Sequence, residues 1–269
     1  MTKESKFKKA ILGFVEILKN PWLLNLVLHE NSVWKKKTPV EFQGGLPVIE
    51  LSTLFPEFSE TLTKIAFLDG GSLPTDIALL KALCRLKPAT TYFEIGTWRG
   101  ESVANVAEVA KECYTLNLSK QEMIALGMDE KYANAHGFLS KGIANVIHLE
   151  GNSQKFDFAG LNKKFDVIFI DGSHHYEAVV ADTENIFKYL MHDQSVVVWH
   201  DYGFSPERIR YEILNAILAG TPNAFHENLY QVGNTMCAIF IKGKFDTKKF
   251  NVFENPKEIF KISLQVHKS

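Results

Sequence analysis

Cysteine is scarce in this sequence and never paired. Cys84, Cys113 and Cys237 are the three in 269 residues, too far apart for a disulfide framework or a zinc cluster. They read as buried thiols of a reducing compartment, so a cytoplasmic location is expected. A dominant charge is missing too: 30 basic residues face 31 acidic ones, net -1, which gives no general attraction to nucleic acid. No nucleic-acid partner is therefore expected. Long apolar runs are absent. The stretch Ala10 to Val15 is cut by Glu16, too early for a membrane span, and no small-residue cleavage site follows a long apolar core. Neither GxxxxGK[ST] nor an internal repeat or low-complexity linker occurs, which removes the phosphate-cradling loop and the solenoid classes.

What is present is a hydrophobic content of 46%, enough to bury a sizeable core, and a centre built around Thr91 to Gly100. Its first half is an aromatic and β-branched run that predicts a buried strand. Its second half opens a helical pattern with Val103, Val106, Ala107 and Ala110 on one side. A strand running into a helix through a tight turn is the place where an open parallel sheet binds ligands. Gly96 would let the backbone turn and approach a ligand, and Gly100 would let the helix sit close on the sheet. A dinucleotide fingerprint would need glycine where Trp98 and Glu101 stand. Glu94 and Glu101 bracket the turn, opposing a pyrophosphate and favouring a ligand with positive charge, so a cationic nucleotide-like ligand fits better than NAD.

From there the chain alternates strand and helix signals. Predicted strands are Tyr92 to Gly96, Cys113 to Leu118, Asn145 to Glu150, Phe165 to Asp171, Ser195 to Asp201, Leu229 to Val232 and Met236 to Ile241. Such alternation predicts an α/β fold with a mainly parallel sheet covered on both faces. Gly233-Asn234-Thr235 between the last two strands suits a hairpin, hence an antiparallel end.

The run Phe93-Glu94-Ile95-Gly96-Thr97-Trp98-Arg99-Gly100 resembles the first motif of class I S-adenosylmethionine-dependent methyltransferases. Phe165 to Glu177, containing Asp171-Gly172-Ser173-His174-His175-Tyr176, and Val196 to Tyr202 resemble the fourth and fifth strand motifs of the branch with macrocin-type O-methyltransferases and cephalosporin-hydroxylase-like relatives. The resemblance covers roughly residues 70 to 242. It implies a doubly wound, Rossmann-like sheet of seven strands with an antiparallel last strand, and O-methylation of a small molecule or sugar hydroxyl.

It also implies a site. Glu94, Gly96, Thr97 and Gly100 would border the cofactor, Asn117 would meet the ribose where most members offer a carboxylate, and Asn152 and Ser153 would border the adenine. Asp171 and Gly172 would close the far side. Methyl transfer asks the protein to align the acceptor, exclude water and remove a proton, and imidazole suits the last task. His174, within the recurring Asp-Gly-x-His pattern, is the first candidate base, with His200 and Asp171 beside it. Asp171 and Asp201 suit a hard cation, and macrocin-type relatives hold magnesium there; His200 stands where a further carboxylate is expected. Two other readings stay open: a non-haem iron site from His174, His200 and Asp201, and a cofactor-binding module without catalysis.

Residues 1–70 read as a helical extension, cap or lid, 71–242 as the cofactor-binding domain, and 243–269 as a tail suited to a surface appendage or an oligomer contact. Phe7, Ala10, Ile11, Phe14, Ile17 and Leu18 recur at helical spacing within a segment rich in lysine. That amphipathic helix would cap the domain, meet a second copy, or attach to anionic lipid. A second apolar patch runs from Trp22 to Leu28. Asp69 to Ser72 would be a lid or a plain turn, Thr75-Asp76 a helix start, and Ser205-Pro206-Glu207-Arg208 the start of a helix closed by Gly220.

Overall fold

Tyr92, Val167, Phe169 and Val198 pack on one side of a sheet, while Phe93, Ile168, Ile170, Val197 and Trp199 pack on the other. This is the period-two outcome for strands buried on both faces. The computed structural model describes residues 3–24 and 30–268; most of the patch from Trp22 to Leu28 lies outside them.

The strands are β1 (Val48–Ile49), β2 (Thr91–Ile95), β3 (Glu112–Asn117), β4 (Val146–Glu150), β5 (Val167–Ile170), β6 (Val196–Trp199), β7 (Gly203–Ser205), β8 (Arg208–Ile209), β9 (Leu229–Val232) and β10 (Ala238–Phe240). Eight of them form one sheet in the order β1-β9-β10-β6-β5-β2-β3-β4, with β10 antiparallel to both neighbours. The helices are α1 (Lys3–Lys19), α2 (Glu30–Lys37), α3 (Pro74–Arg85), α4 (Glu101–Val106), α5 (Lys120–Ala125), α6 (Glu130–Ala135), α7 (Tyr176–Asn185) and α8 (Tyr211–Gly220), with further short turns between. Leu79, Leu80 and Leu83 of α3 and Val103 and Val106 of α4 cover the Phe169 face. Val179 of α7 and Ile213, Leu214 and Ile217 of α8 cover the Trp199 face. Each fully buried Phe or Leu of these layers contributes roughly 1.5–3 kcal/mol by leaving water.

The doubly wound α/β architecture is as expected, with two corrections. The expected seven-stranded sheet starting at Tyr92 has an eighth member, because Val48 and Ile49 pair in parallel with Gln231 and Val232. The predicted helix start at Ser205 is instead the turn of the β7–β8 hairpin, and the helix begins at Tyr211. A proline suits a first helical turn, but it equally suits a hairpin corner. Here Gly203 N donates to Met236 O and Arg210 N to Tyr202 O, which commits the segment to the hairpin. The tail returns along the sheet edge: Lys248 bridges to Val48, and Glu258 accepts from Ser52 N.

Candidate functional site

Going outward from β2, the chain builds β3 and β4 on one side; going outward from β5, it builds β6 on the other. The switch point therefore lies between β2 and β5, where loops leave in opposite directions and a crevice opens. Gly96 follows β2 with φ +98° and Gly172 follows β5 two residues after Ile170. A Cβ on Gly96 would collide with the backbone carbonyl of Asp171 and stand 2.9 Å from Gly172 N. The crevice floor is therefore bare backbone, and Gly96 is required first by the neighbouring strand. Gly100, with φ +82°, serves a different partner from the one expected: a Cβ there would strike the Ser140 side chain, not the sheet.

The turn between these glycines is clamped from both sides. Trp98 has φ +41°, uncommon for a large side chain. Its ring stacks on Tyr132 at 4.4 Å and meets His136 edge-on at 4.9 Å, while its Nε1 donates to Asp69 O (3.3 Å). Arg99 Nη1 also donates to Asp69 O (2.6 Å). Gly70, Gly71 and Ser72 thus line the crevice with Gly96, Thr97, Trp98 and Asp171, so the segment read as lid or turn borders the site.

Glu94 does not face the ligand. It is wholly buried under the turn, where Tyr92 and Ser102 hydroxyls donate to Oε2 (2.7 and 2.8 Å) and Thr115 donates to Oε1 (2.8 Å). Burial pushes its carboxyl up to about 7 against those three hydrogen bonds. Glu101 is likewise engaged with the protein, accepting from Ala66 N (2.7 Å). Thr97 turns its hydroxyl inward to Thr115. The ordinary value of the Glu94 carboxyl is 4.5, so the folded state holds its proton more tightly than the unfolded chain. Its contribution is therefore full below the unfolded value and is lost as pH rises towards about 7, a loss on the order of 3 kcal/mol. The thermal midpoint of Glu94→Gln, taken relative to wild type, should accordingly rise between about pH 5 and about pH 8. A difference that stays flat with pH would mean that the carboxylate remains solvated.

Around the rim, Asn117 at the end of β3 places Oδ1 3.5 Å from Thr97 N, and its amide donates to Leu118 O (3.1 Å). Asn152 uses its own Oδ1 to close a turn on Gln154 N (2.9 Å), leaving Ser153 as the polar side chain next to it. Asp182 of α7, which the sequence reading missed, is buried beside Ser153 and Gly172. Burial pushes its carboxyl up to about 6, and neither of its oxygens has a hydrogen-bond partner among the described residues.

The charged cluster sits on the other wall, and strand alternation explains it. Asp171 continues the Phe169 face of β5 and His200 continues the Val198 face of β6, so both meet the start of α3. His200 is buried; its Nε2 is 3.1 Å from Asp76 Oδ2, and its Nδ1 is 3.2 Å from Asp171 Oδ1 and 3.4 Å from Asp201 Oδ2. Desolvation would lower its pKa, but the Asp171 charge, the Asp201 carboxylate beside it and the hydrogen bond to Asp76 hold it well above the usual value. Buried, with Nε2 on Asp76 and Nδ1 facing Asp171 and Asp201, His200 is placed to position carboxylates; the sequence reading had it among the candidate bases. Asp76, read from sequence only as part of a helix start, also accepts from Leu73 N and Met236 N (2.8 Å each).

His174 stands at the exposed mouth with Nδ1 2.9 Å from Asp201 Oδ2. That hydrogen bond raises its pKa and leaves Nε2 directed away from the pair. Asp201 has φ +53°, a strained position for aspartate. Burial would raise its carboxyl, yet the two histidines beside it hold it far below the carboxylate range. Asp171, His200 and Asp201 each offer a donor atom within 4.8 Å of the others. That grouping contains one histidine and two carboxylates, so the iron set with both histidines is not assembled.

Residues 93–202 match the family model described as "Methyltransferase domain". Among curated proteins, the uncharacterized protein R132 of Acanthamoeba polyphaga mimivirus is 28% identical over 135 residues, which is 45% of this chain and 57% of the relative. The chain thus spans little more than half the length of that relative. Among solved structures, the S-adenosylhomocysteine-bound methyltransferase PaMTH1 of Podospora anserina is 18% identical, with 65% of this chain and 81% of that one covered and a TM-score of 0.43. The O-methyltransferase of Bacillus cereus is 17% identical, with 65% and 84% covered and a TM-score of 0.44.

Proposed function

Because residues 93–202 match the family model described as "Methyltransferase domain", we propose that this chain transfers a methyl group from S-adenosylmethionine to a hydroxyl of a small molecule or sugar. The observation that carries the reading is the His174–Asp201 pair at the mouth of a switch-point crevice floored by bare backbone at Gly96 and Gly172. When bound, S-adenosylmethionine supplies a methyl group already activated by its sulfonium.

The crevice bordered by Gly96 with Gly70, Gly71, Thr97 and Asp171 fits a ligand that approaches backbone closely. Asn117 would meet its ribose hydroxyls and Ser153 its base, and the loop Asp69 to Ser72 with Trp98 would keep water out. His174 would take the acceptor's proton at Nε2, with Asp201 fixing the tautomer through Nδ1. The donor set also fits a divalent cation. His200 Nδ1 is buried and, although it faces two carboxylates, makes no well-directed hydrogen bond. Asp171, Asp201 and, once deprotonated, His200 would hold the ion, which would supply charge stabilisation to the acceptor oxygens.

Isothermal titration with S-adenosylhomocysteine should show one site per chain that NAD does not displace. Absence of binding, or displacement by NAD at comparable concentration, would sink the reading. For the ion, a chelator should abolish turnover while leaving S-adenosylhomocysteine affinity within about threefold, with Asp201→Asn behaving alike. Full turnover in chelator would remove the ion and leave the cofactor reading standing.

A further inference from the structure

Helix α1 carries an apolar face that covers nothing among the described residues. Phe7, Phe14 and Leu18 are 70%, 62% and 67% exposed, and Ile11 and Val15 are open as well. Among the described residues the principal neighbour of α1 is the Pro21–Leu23 turn that follows it. At about 100° per residue, Ile17, Ala10, Phe14, Phe7, Leu18, Ile11 and Val15 form one continuous arc of roughly 160°. Lys6 lies about 20° beyond one border of this arc and Lys8 about 20° beyond the other, with Lys9 on the far side. Over residues 6–19 only Leu12 breaks the division; Lys3 and Glu4 of the first turn fall at positions within the arc.

Charge says what the arc meets. Residues 1–37 hold eight of the chain's 30 basic residues and three of its 31 acidic ones, so they carry +5 while the remainder carries -6. Within that segment Lys35, Lys36 and Lys37 at the end of α2 are exposed as well. Pairing two such helices through their apolar arcs would bring lysine borders together, whereas an anionic surface satisfies both borders at once. Lysines at the edges of an apolar arc can bury their stems and keep their ammonium groups at headgroup level. No helix among the described residues is long and apolar enough to cross a membrane, which leaves a helix lying in the interfacial plane.

We propose that α1 is a docking surface for an anionic lipid bilayer, with the Phe7–Phe14–Leu18 arc inserted among the acyl chains and Lys6 and Lys8 at the phosphates. This assignment stands independently of the chemistry in the crevice. The test uses the full chain and vesicles of phosphatidylcholine with and without about 30 mol% phosphatidylglycerol. The expected result is at least about tenfold stronger partitioning to the anionic vesicles, weakened by a similar factor when salt rises from about 0.05 to about 0.5 M. The Phe7→Ser, Phe14→Ser variant should lose binding at every salt concentration. The Lys6→Gln, Lys8→Gln variant should lose the preference for anionic lipid, and both variants should keep the wild-type melting midpoint. Absence of vesicle binding, or equal binding to neutral vesicles, would overturn the proposal. So would a dimer in light scattering that the phenylalanine variant splits, because that would assign the arc to a second copy of this chain.

Discussion

Gly96→Ala lowers the thermal midpoint by about 10 °C or more, or prevents folding, and takes ligand binding with it. The backbone at Gly96 has φ +98°, where a side chain is strained, and the atoms a Cβ would strike belong to the backbone of Asp171 and Gly172. Neither can rotate away. Relief requires β5 to separate from β2 at its carboxyl end, which breaks the hydrogen bond from Asp171 N to Ile95 O. A cost of about 4 kcal/mol or more is the order expected for combined steric and conformational conflict. Gly100→Ala is the control: it shares a positive φ, but its obstacle is Ser140, whose Oγ, Cβ and backbone N stand in a turn outside the sheet that can shift without parting two strands. Its midpoint should fall by clearly less. Calorimetry of both variants decides the matter, and a Gly96→Ala protein as stable as wild type would show that the β2–β5 crevice is wider than the structure has it.

His174→Ala lowers kcat by about 10²- to 10⁴-fold and leaves S-adenosylhomocysteine affinity within about threefold. The imidazole has no contact with the Gly96 floor, and its one anchoring side chain is Asp201. Asp201 raises the pKa of His174, so the wild-type base is protonated and idle at low pH and gains activity as pH rises. The variant lacks that group, and higher pH should partly restore it as the acceptor hydroxyl ionises unaided. Pre-steady-state methyl transfer across pH gives the comparison. A defect of the same size at every pH would make His174 a scaffold for the loop.

The strands were legible because a sheet buried on both faces leaves near-continuous apolar runs, as in Val167-Ile168-Phe169-Ile170 and Val196-Val197-Val198-Trp199. The juxtaposition of Asp171 with His200 and Asp201 followed from those runs, since adjacent parallel strands end together. Asp76 could not be found this way. It lies 124 residues from His200 and reaches it only because α3 packs with its first turn over β6. The run Val48-Ile49-Glu50-Leu51 reads as a short strand, but the two residues of β1 carry no periodicity that would assign it to the main sheet beside β9. The inward turn of Glu94 was available in principle: it shares a strand face with Tyr92, and alternation places both in the interior. The clamp of Trp98 on Tyr132 and His136 had no signal, because aromatic contacts between two loops obey no spacing rule.

The position of β10 in the sheet bears on how the chain comes together during synthesis. It inserts between β6 and β9, and β1 can pair only with β9, whose residues Leu229–Val232 are made long after Val48. At roughly 5–20 residues per second on the ribosome, β1 waits on the order of ten seconds or more without its hydrogen-bonding partner. The block from β2 to β6 needs neither of these late arrivals to form its own ladders. Assembly is thus staged: a central parallel block first, and then a closing step in which the β9–β10 hairpin zips onto β6 and captures the waiting β1. Until that step the free edge of β6 is exposed, and it is the point at which two nascent copies would be most prone to pair with each other.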